Sequence, residues 1–558
     1  MLTDLSKRKK TIIMISVMAG LFLAALDQTI VATAMPKIVE ELNGLEHLSW
    51  VFTAYMLAST ITVPIFGKLS DMYGRKPFLI GAIVIFLIGS ILSGLSQNMN
   101  QLILFRAIQG VGGGALMATA FTIIADLFVP SERGRWQGLF GAVFGLSSVI
   151  GPLLGGWLTD NASWRWNFYI NVPIGLVVLV LVIMYMPKIA GRASSHKIDY
   201  AGAATLAAGL GSLLLAVTWG GVEYAWNSWQ ILSLFAVSLA SLVSFGLIER
   251  VAAEPILPLR LFKNRTFVVS MAVIFLTAMG MFGAILYIPL FAQYVIGTSA
   301  TNSGTILTPM MLGLVASAIV SGQIIARSGK YKILTVAGLV LVSAAMYWMS
   351  LLNADTTQGE LIVRMIALGL GLGVTMPVFN LAVQNALPQR EVGVATASVQ
   401  LFRNIGGTVG TAVMATVLNN TLADKLTNIG NDTFVKMSSQ SGFNLGTLDG
   451  AKVEGLLSPQ GLTKLHEAVT KLPPAYAAAV NQALEKFITT IQTAFAQSIA
   501  HVFWVGTILM VAALVITLFL PEVKLRDTNE DSLEEIGKEL AVEEGTGPAS
   551  AEPVLGKR

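Results

Sequence analysis

The sequence predicts an all-α membrane protein of fourteen transmembrane helices, arranged as two groups of six with two further helices between them. Three observations carry this prediction: scarce charge, fourteen apolar stretches of spanning length, and an internal repeat. Of 558 residues, 54% are hydrophobic and only 12% charged, with mean hydropathy +0.70. Soluble domains carry about 25% charged residues, so this chain lacks the polar surface that a water-soluble enzyme of its length needs. Lipid is the alternative solvent, and a helix crosses it with about 20 mainly apolar residues. The absence of Cys excludes a disulfide scaffold, thiol redox chemistry and Cys-ligated metal. The net charge of +4 and pI of about 9.0 would point to nucleic acid only if the basic residues clustered.

A hydropathy window of about 19 residues resolves spans near 12–35, 50–66, 78–96, 102–125, 136–158, 168–186, 198–219, 229–248, 267–290, 303–326, 333–352, 361–383, 394–418 and 496–520. The first follows Lys7-Arg8-Lys9-Lys10 but is too long for a signal-peptide core, so it reads as a retained helix. With the N-terminus inside, 25 of the 36 Lys and Arg fall on the cytoplasmic side, eight outside and three within spans. The expected location is the plasma membrane, and that asymmetry predicts both termini cytoplasmic. It also removes the reason to invoke nucleic acid. The expected division is 1–190 for the first six helices, 191–262 for the two extra helices, and 263–418 for the next five. An external loop over 419–495, a last helix over 496–520 and an acidic, disordered tail over 521–558 complete it. The loop reads as a structured cap, with a partner-binding or substrate-guiding role as the alternative.

The repeat supports this division. Gly67-Lys68-Leu69-Ser70-Asp71-Met72-Tyr73-Gly74-Arg75-Lys76 is echoed by Gly322-Gln323-Ile324-Ile325-Ala326-Arg327-Ser328-Gly329-Lys330-Tyr331. Leu102-Ile103-Leu104-Phe105-Arg106, leading into Gly110-Val111-Gly112-Gly113-Gly114, is echoed by Leu361-Ile362-Val363-Arg364, leading into Gly369-Leu370-Gly371. Two echoes in the same order imply two six-helix halves, and the two spare helices fall between them.

Gly67 to Lys76, the Arg106 helix and Gly151-Pro152-Leu153-Leu154-Gly155-Gly156 resemble three signatures of the major facilitator superfamily. Leu26-Asp27-Gln28-Thr29-Ile30-Val31-Ala32-Thr33-Ala34-Met35-Pro36 is similar to the first-helix motif of its 14-span drug:proton antiporters. The resemblance implies a major facilitator fold and export by alternating access.

Asp27 is the only acid well inside a span. A charge at the bilayer centre costs about 2.5–3.5 kcal/mol even on lenient scales, so such a residue is a functional candidate. Asp27 and Arg106 come to comparable depth in the outer half and form the candidate proton-coupling pair. Asp27 would carry the proton or meet a cationic substrate, and Arg106 would tune it. The competing readings are a static helix contact for Asp27 and a snorkelling anchor for Arg106. In the loop motif, Gly67 and Gly74 permit close approach and a tight turn, and Lys76 adds cytoplasmic charge. The resemblance implies a latch in which Asp71 engages the other half and Arg75 reaches Asp126. Ala326 stands where the second copy would need its acid, which argues against a symmetric second latch.

Gly145, Gly151, Pro152, Gly155 and Gly156 form the candidate antiporter motif, a close-packing surface with a proline flex point. Trp164-Arg165-Trp166-Asn167-Phe168-Tyr169 reads as an aromatic interface belt. Tyr55, Gln109, Phe144, Tyr287 and Met310 are candidates for the substrate cavity; other methionines (Met279, Met281, Met311, Met376) suit an adaptable apolar site. Arg403, without an acid on its own helix, reads as a headgroup or gating contact, with an anion-binding role as the alternative.

The sequence carries no ATP-binding motif, metal-ligand spacing or cofactor motif. The expected partners are a small amphipathic, often cationic substrate, protons and the bilayer, with the protein acting as a monomer. The rivals are a lipid or metabolite exporter of the same fold and a membrane receptor or scaffold that has lost transport.

Overall fold

The computed structural model describes residues 6–42, 48–187, 198–221, 223–298, 306–388, 391–426, 456, 461–463, 466–467, 474–523 and 525. Nearly all of the expected tail, and most of the expected external loop, lie outside these residues. Among the described residues, fourteen helices are long and apolar enough to cross a membrane. They are α1 (Lys7–Leu42), α2 (Leu48–Tyr73), α3 (Arg75–Leu95), α4 (Met99–Leu127), α5 (Pro130–Asn161), α6 (Trp166–Tyr185), α7 (Tyr200–Trp219) and α8 (Trp229–Glu249). The remainder are α9 (Arg265–Tyr294), α10 (Thr308–Ser328), α11 (Lys332–Met349), α12 (Gln358–Ala386), α13 (Val392–Leu426) and α14 (Pro474–Leu518). No strand occurs among the described residues.

Local signals start several helices. Asn98 caps α4 by accepting from Gln101 N at 2.9 Å, Ser228 caps α8, and Thr357 with Glu360 forms a capping box on α12. Gly74 and Gly329 occupy the same place in the two copies of the loop repeat. Both have positive φ, 99° and 66°, as the sharp turn after α2 and α10 requires.

Helices α1 to α6 share one main apolar core beside a smaller cluster around Trp164, and α9 to α14 share a second beside another that takes in Leu206, Leu210 and Phe245 of the paired α7 and α8. That hairpin lies against α2 and α13, along the seam between the halves. Its outward face exposes Leu232, Val237, Leu239, Val243 and Leu247; such a patch is stable against lipid rather than water. The helices on either side of the expected external loop outrun their apolar stretches. α13 continues to Leu426 and α14 begins at Pro474, so helix occupies both ends of the 419–495 segment.

The halves meet at the end of the bundle that carries Lys68, Arg75 and Lys76, here the basic end. α2 packs on α13, and α5 packs on α10 and α12. A Cβ on Gly67 would lie 2.6 Å from Ala397 Cβ, and one on Gly322 would lie 2.3 Å from Gly134 O. The first glycine of each repeat copy therefore sits where its half touches the other.

Candidate functional site

The inner faces of α1, α4 and α6 build the first part of the site. Asp27 is fully buried, as are Gln109 and Asn171, and Arg106 is 1% exposed. Arg106 Nη1 donates to Asp27 Oδ2 at 2.5 Å and to Gln109 Oε1 at 2.7 Å. Gln109 Nε2 donates to Asp27 Oδ1 at 2.7 Å, and Asn171 Nδ2 donates to the same oxygen at 3.1 Å. Asn171 also donates to Ser90 Oγ at 3.0 Å, and Ser90 donates to Phe168 O at 2.8 Å. The Arg106 guanidinium lies over the Tyr55 ring, 4.4 Å from its centroid. A buried carboxylate is tolerated when it is paired and hydrogen-bonded, and this one accepts from three side chains on two helices.

Glycine makes that convergence possible. A Cβ on Gly110 would lie 2.4 Å from Tyr55 O, and one on Gly112 2.4 Å from Phe86 N. The glycine run lets α4 pack directly on α2 and α3 while holding Arg106 and Gln109 against α1. Asn171 lies just after a break in α6, where the turn Trp166–Tyr169 gives way to Asn171–Tyr185. Asn171 and Ser90 escaped the sequence reading because buried amides and hydroxyls are common in helices. Only their contact with Asp27 distinguishes them.

The second part lies at the basic end. Arg75 Nε donates to Asp126 Oδ2 at 2.8 Å and Nη1 donates to Ser70 Oγ at 2.7 Å, while Nη2 pairs with Asp71. All three charged residues are buried. Across the seam, a Cβ at Gly393 would lie 2.1 Å from both Asp71 carboxylate oxygens. The carboxylate thus presses on the N-terminal turn of α13, where the helix dipole favours negative charge. In the second repeat copy Ala326 stands where the first has Asp71, so that place holds no carboxylate; Gly322, the counterpart of Gly67, approaches Gly134 of α5. Lys76 Nζ donates to Ile183 O at 2.7 Å and Met186 O at 2.6 Å, so it caps α6. Buried Arg133, which the sequence reading passed over, donates to Ala125 O and Phe128 O at the end of α4.

The fifth-helix motif divides by direction. A Cβ on Gly151 would meet Thr29 Oγ1 at 2.0 Å, and one on Gly155 would meet Thr33 Oγ1 at 2.3 Å. Thr29 also donates to Ser147 O at 3.0 Å. These glycines therefore clamp α5, which contains Pro152, to the α1 turn after Asp27. Gly145 faces the other half, at Val315, whereas Gly156 has open space around it.

The expected cavity residues do not assemble in one place. Tyr55 and Gln109 join the Asp27 cluster, Phe144 packs on the first core, and Tyr287 and Met310 are buried in the second. The Met376 side chain lies outside the described part. Trp164 departs from the interface-belt reading: it is 1% exposed and donates to Glu41 Oε2 at 2.7 Å, leaving Trp166 to face outward. Arg165 also pairs with Glu41, and that hydrogen bond is the main reason the Glu41 carboxyl lies below its usual value.

The sequence model of the Major Facilitator Superfamily matches residues 17–411, which include the Asp27 cluster and the charged cluster at the basic end. The chain belongs to the major facilitator superfamily. Among superfamily relatives, it is 40% identical over 551 residues to the multidrug transporter protein MdtP of Bacillus subtilis, covering 97% of this chain and 98% of that one. It is 39% identical over 529 residues to multidrug resistance protein 3 of the same organism, covering 95% and 98%. Two solved structures share the fold. The human organic anion transporter MFSD10 matches with TM-score 0.57 at 15% identity, over 90% of this chain and 99% of that one. The proton:xylose symporter XylE matches with TM-score 0.56 at 12% identity, over 93% and 98%. These are transporters, not enzymes, and so is the family to which this chain belongs.

Proposed function

We propose that the protein is a proton-driven exporter of amphipathic, often cationic drugs, dyes or antiseptics in the plasma membrane, with both termini cytoplasmic. The observation that carries this reading is the buried cluster of Asp27, Arg106, Gln109 and Asn171, held in a superfamily member whose relatives include multidrug transporters. With Asp27 ionised, three donors hold the carboxylate and tie α1 to α4 and α6. A proton on Asp27 removes its charge, weakens the bond from Arg106 and frees α1 to move. The membrane potential contributes about 2.3 kcal/mol per charge per 100 mV, more than the ~1.4 kcal/mol of a tenfold gradient.

The contacts at the basic end favour assigning it as a closed cytoplasmic gate. Arg75, Asp71 and Asp126 lock the first half, and Asp71 bears on α13 of the second. Glycines 151 and 155 couple α1 to α5, which crosses to α10 through Gly145. Movement at Asp27 thereby reaches the seam between the halves.

The test is ethidium efflux from energised vesicles containing wild type or Asp27→Asn, with and without an uncoupler. Uncoupler-sensitive efflux in wild type, absent from the variant, is the expected result. Efflux that ignores the uncoupler would overturn proton coupling.

A further inference from the structure

The segment between α8 and α9, Arg250 to Asn264, lies at the seam and touches both halves. The last residue of α8, Glu249, is buried, and its carboxylate accepts from Ile256 N at 3.0 Å and from Leu257 N at 3.2 Å. Those bonds fold the segment back onto the helix end. Within Glu254-Pro255-Ile256-Leu257-Pro258, two prolines with fixed φ leave little slack. Ile256, Leu257 and Leu261 are buried in the apolar cluster that joins α7 and α8 to the second half. Phe262 meets Phe267 of α9 edge to face at 5.3 Å, and Asn264 donates to Ala386 O, the end of α12, at 3.2 Å. Arg260 pairs with Glu391, just ahead of α13. These contacts fasten the segment to the second half. Glu254 reaches the other way: Lys68 Nζ of α2 donates to its Oε2 at 2.6 Å.

An exposed ion pair contributes little, and Arg260, whose side chain is 60% exposed, forms one of that kind. The pair across the seam differs. The Lys68 and Glu254 side chains are 13% and 9% exposed, so parting them without new partners leaves two poorly solvated charges. Lys68 directly follows Gly67, the glycine that brings α2 onto Ala397 of α13. Separating α2 from α13 therefore separates Lys68 from Glu254. We infer that the segment is a strap carried by the second half, and that Glu254, by holding Lys68, closes the cytoplasmic gate alongside Asp71. Ala326 leaves the second half without an acid in its own repeat loop; Glu254 supplies one at the seam from outside the repeat. The two extra helices take part in gating, because α8 ends in the carboxylate that presents the strap. The inference rests on the proposed gate at the basic end and names a second charged contact in it.

The reporter is Val63→Cys in the full-length chain, at a position buried between Ala118 of α4 and Ala397 of α13. Maleimide labelling of the detergent-purified protein reads opening of the seam without any transport. Glu254→Gln and Lys68→Gln should each speed labelling about tenfold to a hundredfold, the range for one charge-assisted hydrogen bond. The double variant should be no faster than either single one. Exchanging the charges, Lys68→Glu with Glu254→Lys, should restore slow labelling, a rescue that a strap serving only to hold the fold together would not show. Glu249→Gln, which offers one acceptor oxygen to two amides, should speed labelling partway. Arg260→Gln, breaking an exposed pair, should change it by less than about twofold. Wild-type labelling in Glu254→Gln, with Asp71→Ala fast, would overturn the strap and leave the gate reading standing. Fast labelling in both single variants with no recovery on exchange would also overturn it. Wild-type rates in Glu254→Gln and Asp71→Ala alike would sink strap and gate together. Rescue by the exchange in a protein that exports no ethidium would leave the strap standing and sink the exporter reading.

Discussion

Substituting Gly393 with alanine tests the gate through a single methyl group. The new Cβ would lie 2.1 Å from both oxygens of Asp71 and 2.4 Å from its Cγ. Asp71 cannot retreat without releasing Arg75 Nη2, whereas Arg75 keeps its bonds to Asp126 and Ser70. The loss is therefore close to one buried charge-assisted hydrogen bond, about 1.5–3 kcal/mol. On the tenfold-per-1.4 kcal/mol scale, that shifts the balance between closed and open gate by roughly 10- to 150-fold. Because the chain has no Cys, one introduced cysteine reports accessibility without background. Val63 suits this purpose, being fully buried against Ala118 of α4 and Ala397 of α13. In inside-out vesicles, a membrane-impermeant maleimide should label Val63→Cys at least tenfold faster when Gly393→Ala is also present. In an Asp71→Ala background the alanine should add little, since the pair shares one interaction. Unchanged labelling in Gly393→Ala would refute the claim that this carboxylate holds the gate.

Three further predictions follow from individual contacts. In the fifth helix, Gly151→Ala and Gly155→Ala should each abolish most uncoupler-sensitive efflux, because each Cβ collides with the α1 turn after Asp27. Gly156→Ala, with nothing within 4 Å, should export at close to the wild-type rate. Asn171→Leu leaves Asp27 Oδ1 and Ser90 Oγ short of one donor. It should destabilise the fold by about 1–3 kcal/mol, read as a lower melting temperature together with slower efflux. The contact between Glu41 and Arg165 should depend on pH. Its carboxyl is held below the usual 4.5, so its contribution is complete above that pH and is lost as pH falls through the lowered value. The thermal stability of wild type should exceed that of Glu41→Gln at pH 7, and the difference should close toward pH 3.

The architecture was legible in the sequence because lipid leaves few alternatives: each crossing needs a long apolar helix, and the fourteen predicted stretches match fourteen such helices among the described residues. Asp27 and Arg106 stood out for the same reason, as charges where charge is costly. Asn171 and Ser90 were not legible, since neutral polar side chains in helices cost little and carry no signal until their partners are known. Within one motif, Gly151 and Gly156 are the same residue type five positions apart. Only the packing of α1 on α5 separates the clamp from the open surface. Trp164 looked like a membrane-interface aromatic by composition, yet its contact with Glu41 places it inside the bundle.

By itself, then, the sequence determined that the chain lives in lipid as fourteen helices, with a repeated half and a rare acid and base within the spans. Hydropathy and length are summed along the chain and need no knowledge of neighbours. The tertiary structure alone decided which charges pair. Arg75 meets two acids, Arg106 meets Asp27, and Arg403 faces a cavity with no acid among the described residues. Pairing depends on which helix faces which, and in a low-dielectric interior a few ångströms separate a neutral pair from an unmatched charge.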